Sequence, residues 1–237
     1  MEYSPYHKAL TTGEIIDLNN PHLFVYDIKN IATLLRNIKR FNGVGISVEE
    51  HSINVALMVL GLTDNKVLAL YALLHDAAEA YIGDVATPVK KIIGTAWYKL
   101  ENHIQETIIE RLIPKEMRER ITEDDIKFVK AIDSYALALE LVDVMPEELL
   151  TKDGVWRDYV NLPDLSCVID PLVSPHTTSL LRRTLDEVYT SLFILAEQQG
   201  ELKPCTVTLD KVYTVNVDDP NALTLLDTLI TEEEISK

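Results

Sequence analysis

LLHDAAEAYIGDVATPVKK, residues 73–91, crowds groups suited to metal and phosphate chemistry into one short stretch, with His75-Asp76 at its centre. On a helix these neighbours stand about 100° apart, so they can share one cation only above their common edge. Glu79 lies four residues after His75 and three after Asp76, and so falls on the same side. Tyr81-Ile82-Gly83 ends the helix and delivers Asp84 from a turn, and Thr87-Pro88 restarts structure beyond it. The apolar run from Val67 to Leu74 would bury the helix. A buried charged pair is costly without compensation, and a cation supplies it.

Upstream, residues 1–26 have no helical periodicity and a turn at Asn19-Asn20-Pro21-His22, which reads as extended structure leading into the core. Asp27 is an N-cap for a helix whose apolar positions Ile28, Ile31, Leu34, Leu35 and Ile38 recur at helical spacing and which ends at Arg40-Phe41-Asn42-Gly43. Ser47 and Glu50 form a capping-box signature for a second helix, with His51 in its first turns. A buried, satisfied histidine or a cap is the ordinary role for His51 alone. The third helix runs from Asp64 to about Tyr81 and carries the His-Asp pair.

Downstream, Thr95 to Leu112 is amphipathic through Leu100, Ile104, Ile108 and Leu112, and Pro114 stops it. A fifth helix spans about Glu123 to Val144, with Thr122 as N-cap and Pro146 just past its end. Asp133 sits at the edge of its apolar stripe, where an acid caps something, pairs with a cation or ligates a metal. Glu140 faces similarly and could support a neighbouring ligand. A last helix is expected at about 177–199, a short hairpin at 205–217, and a solvated acidic tail at Glu232-Glu233-Glu234. The expected organisation is a core over residues 1–150 and a C-terminal extension over 151–237.

Composition narrows the function. A net charge of −16 argues against polyanions such as DNA or RNA, whose affinity comes from many Lys and Arg neutralising phosphates. A small anion stays allowed, since a metal and a few cationic side chains reverse the field locally. Cys167 and Cys205 lie far apart without CxxC spacing, so reduced thiols in a cytoplasmic protein are expected, in the host cytoplasm if the chain is viral. The first residues lack an apolar signal region and no apolar run reaches bilayer length, so no membrane partner is expected. Apolar faces on the last helix leave room for a homodimer or higher homo-oligomer.

His51, His75, Asp76 and Asp133 come from three helices in the order H…HD…D, and two imidazoles with two carboxylates suit one divalent transition ion. The pattern resembles the HD-domain phosphohydrolase superfamily. Arg40-Phe41, Ser47-Val48-Glu49-Glu50-His51-Ser52, His75-Asp76-Ala77-Ala78-Glu79 and Gly83-Asp84-Val85-Ala86-Thr87-Pro88-Val89-Lys90 are similar to its 5′-deoxynucleotidase subgroup, over roughly Asp27 to Met145. Viral relatives of that group include enzymes that remove a whole triphosphate from a deoxynucleotide.

The resemblance implies an all-α, HD-domain helical bundle with His51, His75, Asp76 and Asp133 as ligands of one divalent ion, Co²⁺, Mn²⁺, Zn²⁺ or Mg²⁺. It implies Glu79 and Asp84 as catalytic groups, Glu79 at the attacking water and Asp84 at the sugar 3′-hydroxyl, and Arg40 at phosphate. Lys90 of the TPVK motif is a further candidate for phosphate, and Phe41 stands where the subgroup often has Trp against the 2′ position. The implied activity is hydrolysis of the 5′-phosphate ester of a deoxynucleotide by a metal-activated water, on mono- or triphosphates. The alternatives are another HD-type reaction, on a cyclic nucleotide or (p)ppGpp, and a non-catalytic nucleotide-binding module.

Overall fold

A computed structural model describes residues 5–150 and 184–199 of the chain. The hairpin expected at 205–217, the acidic tail and the first residues of the expected last helix lie outside them. The described part is an all-α bundle with one small sheet, in which strands β1 (His7–Ala9) and β2 (Ile15–Asp17) pair antiparallel with Lys8 opposite Ile16. A 3₁₀ turn at Pro21–Leu23 follows, so the first segment is extended as its aperiodic sequence indicates.

Ten helices follow up to residue 150: α1 (Ile28–Arg36), α2 (Arg40–Gly43), α3 (Val48–Thr63), α4 (Lys66–Leu73), α5 (Glu79–Ile82), α6 (Thr87–Ile93), α7 (Thr95–Leu112), α8 (Lys115–Arg118), α9 (Glu123–Val144) and α10 (Glu147–Leu150). The last described helix, α11, spans Leu185–Gln198. Local chemistry sets several starts. Asp27 Oδ1 accepts from the Lys29 and Asn30 amides, and Ser47 with Glu50 and Thr122 with Asp125 close reciprocal capping boxes.

Two elements differ from the sequence reading. The first helix ends at Arg36, because Lys39 bridges Ser47 and the amides of Arg40 and Val48 bond the carbonyls of Ile46 and Ile38, which turns residues 38–48 into a tight loop. Inside it Phe41 and Asn42 are left-handed, at φ 52° and 56°, a conformation that costs free energy in non-glycine residues and persists only where the surroundings enforce it.

The expected third helix is likewise interrupted. Asp64 is the left-handed cap that ends α3, Asn65 caps α4, and α4 stops at Leu73, immediately before the His-Asp pair. From Leu74 to Tyr81 several amides bond the third residue back, as His75 to Ala72, Ala77 to Leu74 and Glu79 to Asp76. The physical reason sits on α7: Gln105 Nε2 donates to the Leu74 carbonyl at 2.6 Å and its Oε1 accepts from the Ala78 amide at 3.0 Å. These bonds clamp both ends of the His-Asp turn and replace the regular ladder there.

The core runs through α1, α3, α4, α7 and α9, with Ile31, Leu35, Ile53, Leu68, Leu70, Ile104, Ile108 and Ile132 among its fully buried side chains. α11 belongs to the same core. It packs on α1, α3 and α4, buries Leu185, Val188, Leu192 and Ala196, and the Leu185 amide bonds Glu49 Oε1 at 2.9 Å. Glu49 also takes both ends of the Arg36 guanidinium, at 2.7 and 2.9 Å. Among the described residues no helix is long and apolar enough to cross a membrane.

Candidate metal centre

Helices α3, α4 and α9 pack on one another, and the site forms where they meet. The α3 capping box starts that helix so that His51, one turn in, faces the core and is fully buried. The interrupted backbone after α4 presents His75 and Asp76 side by side, and the third turn of α9 presents Asp133. His51 Nε2 lies 3.3 Å from His75 Nε2 and 3.0 Å from Asp133 Oδ1, and His75 Nε2 lies 3.1 Å from Asp76 Oδ2 and 3.6 Å from Asp133 Oδ1. One ligand atom from each of the four falls within 4.8 Å of all the others. Side-chain exposure rises from 0% at His51 through 11% at His75 and 24% at Asp76 to 36% at Asp133, so the cluster opens to solvent on its carboxylate side.

The outer hydrogen bonds of the histidines fit a metal. His75 Nδ1–H donates to the Ala72 carbonyl at 2.8 Å, and His51 Nδ1–H donates to Glu140 Oε1 at 2.6 Å. Both acceptors hold a ring proton on Nδ1, which turns Nε2 of each ring to the point shared with Asp76 and Asp133, where it bonds the carboxylates in the metal-free protein and would offer a lone pair to a cation. Two imidazole nitrogens and two carboxylates are a donor set for a divalent transition ion.

Electrostatics point the same way. Burial opposes a charged ring at His75, but the Asp76 charge and the Asp133 bond outweigh it and hold its pKa well above the ordinary value. At His51 burial is likewise outweighed, by the bonds to Asp133 and Glu140, and its pKa is raised. Burial would raise Asp133, yet the bonds from His51 and His75 hold it well below the usual carboxylate range. The four groups thus make a pocket of negative potential that recruits positive charge.

Around them stand the other expected residues. Arg40, buried, donates from Nε to Glu140 Oε2 at 2.8 Å and brings Nη1 to 3.7 Å from Asp76 Oδ2. Its guanidinium carbon is 5.8 Å from the centre of the Phe41 ring, which rests against the backbone of Gly45. Glu79, on the first turn of α5, is buried with one carboxyl oxygen, Oε2, unpartnered. Burial, with the nearby charges of Asp76 and Asp84, pushes it up to about 9. Lys90 Nζ lies 2.7 Å from Glu101 and 3.7 Å from Glu79, under the Trp97 ring at 6.0 Å. Asp84, exposed after Gly83, is raised by partial burial and by Asp76, against Arg40 and Lys90. Arg40, Glu79, Asp84 and Lys90 therefore all lie within electrostatic reach of Asp76, with Lys90 engaged by Glu101 of α7 and Glu79 of α5.

Comparison with known families gives a match to the model described as 5′-deoxynucleotidase YfbR-like, over residues 23–145. The chain belongs to this family. The match contains every residue of the candidate site. Within the YfbR-like family the chain is similar to a 5′-deoxynucleotidase of Erwinia tasmaniensis, 31% identical over 156 residues, 55% of this chain and 76% of the relative. It is also similar to 5′-deoxynucleotidases of Photorhabdus temperata, 29% identical over 145 residues (52% and 71%), and of Cronobacter sakazakii, 28% identical over 153 residues (53% and 74%). YfbR-like membership supports a nucleotide phosphohydrolase. Sequence reasoning did not single out Gln105 or Glu101. Gln105 lies a turn from Ile108 on the apolar stripe of α7, which is the one local hint that it faces inward.

Proposed function

We propose that the chain hydrolyses the 5′-phosphate ester of deoxynucleoside monophosphates, giving the deoxynucleoside and inorganic phosphate. The convergence of His51, His75, Asp76 and Asp133 on one point, with Arg40 beside it, is the observation that carries this reading. Those four residues would hold one divalent ion, Co²⁺, Mn²⁺, Zn²⁺ or Mg²⁺, which when bound supplies the positive charge that acidifies water and draws in phosphate oxygens.

The chain's own groups do the rest. Arg40 is oriented through Nε, so its Nη end, 3.7 Å from Asp76, is turned to donate to the phosphate as charge grows on its oxygens. Glu79 takes the proton of the attacking water as the new P–O bond forms. It then gives that proton to the 5′-oxygen as the P–O5′ bond breaks, which leaves the site in its starting protonation state. In the metal-free protein burial, Asp76 and Asp84 keep this carboxyl protonated at neutral pH, and the added positive charge of a divalent ion would favour the carboxylate form that accepts the proton. Asp84, exposed at the mouth, accepts from the sugar 3′-hydroxyl, Phe41 packs at the 2′ position, and Lys90 adds positive charge near the phosphate.

Motif and family relatives favour the monophosphate. The test is a panel of dNMPs, dNTPs and ribonucleotides with each of the four metals, read by product mass. Phosphate from dNMPs is expected, intact triphosphate from dNTPs would reassign the substrate, and no release from any of them would overturn the proposal. Glu79→Gln should cost 10²-fold or more in rate, whereas a non-catalytic nucleotide-binding module would keep its function.

A further inference from the structure

We propose that Glu140 is a positioning residue that ties the metal site to the phosphate site, so that filling either one prepares the other. The inference rests on the phosphohydrolase reading above and adds a coupling between its two halves.

Glu140 stands on α9 two turns beyond Asp133 and is buried, at 8% exposure. Its two oxygens serve different halves of the site: Oε1 accepts from His51 Nδ1–H at 2.6 Å and Oε2 from Arg40 Nε–H at 2.8 Å. A single carboxylate therefore bonds one residue of the candidate metal set and the guanidinium that faces it, 89 and 100 positions away in the chain.

Each bond has a consequence. An acceptor-only partner keeps the His51 proton on Nδ1 and its Nε2 lone pair towards His75 and Asp133. Engagement of Nε spends the inner edge of Arg40 and leaves the Nη edge turned to the cluster, 3.7 Å from Asp76. The carboxylate and the guanidinium also neutralise each other in a buried setting, where either alone would be a costly unpaired charge. His75 differs: its Nδ1 is fixed by the backbone carbonyl of Ala72, which has no link to Arg40. Of the two rings, only that of His51 is wired to the phosphate-facing cation.

A cation held by His51 would make its Nδ1–H a stronger donor and draw the Glu140 charge toward His51, so that less of the Arg40 charge is neutralised and more is left for the phosphate. A phosphate dianion on Arg40 acts in the reverse direction, as coupling of two binding events requires.

The test is Glu140→Gln. An amide has one acceptor oxygen and cannot serve both donors. With its oxygen on Arg40, its NH₂ meets His51 Nδ1 and forces the proton to Nε2, onto the atom a metal needs. Co²⁺ titration without nucleotide, followed by visible absorption, should show affinity falling 10-fold or more. At saturating Co²⁺ the KM for a dNMP should still rise several-fold, with a smaller change in kcat. A Glu140→Gln protein with a lower melting temperature but wild-type Co²⁺ affinity and KM would reduce Glu140 to a structural pair and overturn the inference alone. Wild-type protein that takes up no Co²⁺ would remove the phosphohydrolase reading as well. Should the variant not fold, long-range ¹H–¹⁵N spectra of Zn²⁺-loaded wild type decide instead: the His51 proton on Nδ1 supports the coupling, and a proton on Nε2 sinks it.

Discussion

Replacing Glu79 by Gln should stabilise the metal-free protein while lowering its activity about 10²-fold or more. The carboxyl is buried, one oxygen has no partner, and its pKa is pushed from 4.5 up to about 9 by burial and by Asp76 and Asp84. Between those values the unfolded chain has released its proton while the folded chain keeps it, so the folded state binds more protons. Stability contributed by this site is whole below pH 4.5, declines as pH rises, and is lost through about pH 9. At pH 7 the unfolded group is about 2.5 pH units past its own pKa, which at 1.36 kcal/mol per unit costs about 3 kcal/mol. Glutamine mimics the protonated acid and escapes that cost. For a chain of this size the gain corresponds to a melting temperature raised by roughly 6–12 °C. Thermal melts of both proteins in chelator, from pH 5 to 9, should diverge with rising pH. Loading with a divalent ion should narrow the gap, since added positive charge favours the carboxylate. Equal melting temperatures at pH 7, or a variant less stable than wild type, would refute the reasoning.

Arg40→Lys keeps the charge but loses the fork shared between Glu140 and the phosphate, and kcat/KM should fall roughly 10²-fold. Gln105→Leu removes both bonds that clamp the His-Asp turn. It should destabilise the fold by about 1–3 kcal/mol in urea melts and weaken Co²⁺ binding in parallel. Gly45→Ala places a Cβ 2.6 Å from Phe41 Cδ2 and 3.3 Å from the Arg40 carbonyl. The ring must move, so the ratio of deoxyribo- to ribonucleotide hydrolysis should change, together with about 1–3 kcal/mol of stability.

What could be read in the chain and what could not divides by range. The starts of α1, α3 and α9 rest on contacts within three residues, and Asp27, the Ser47 and Glu50 box and Thr122 were legible, while the return bond from Asp125 was not singled out. The four residues of the cluster were legible through the H…HD…D pattern and its family resemblance, and Glu140 through helical spacing, which carries it and Asp133 to similar faces two turns apart. The breaks were not. Apolar spacing runs on through Ile38, and only the bridge from Lys39 to Ser47 shows that α1 has already stopped. The helix through His75 fails because of Gln105, some thirty residues downstream, and the bond from Arg40 to Glu140 joins residues 100 apart. No local pattern reports such contacts.

His51, His75, Asp76 and Asp133 are expected to bind one divalent ion together. Anomalous diffraction from crystals soaked in Mn²⁺ or Co²⁺ tests it most directly. One peak per chain within bonding distance of both Nε2 atoms and of oxygens of Asp76 and Asp133 is the expected result. A map with no peak there, or with the ion bound elsewhere and the cluster bridged only by its own hydrogen bonds, would contradict it.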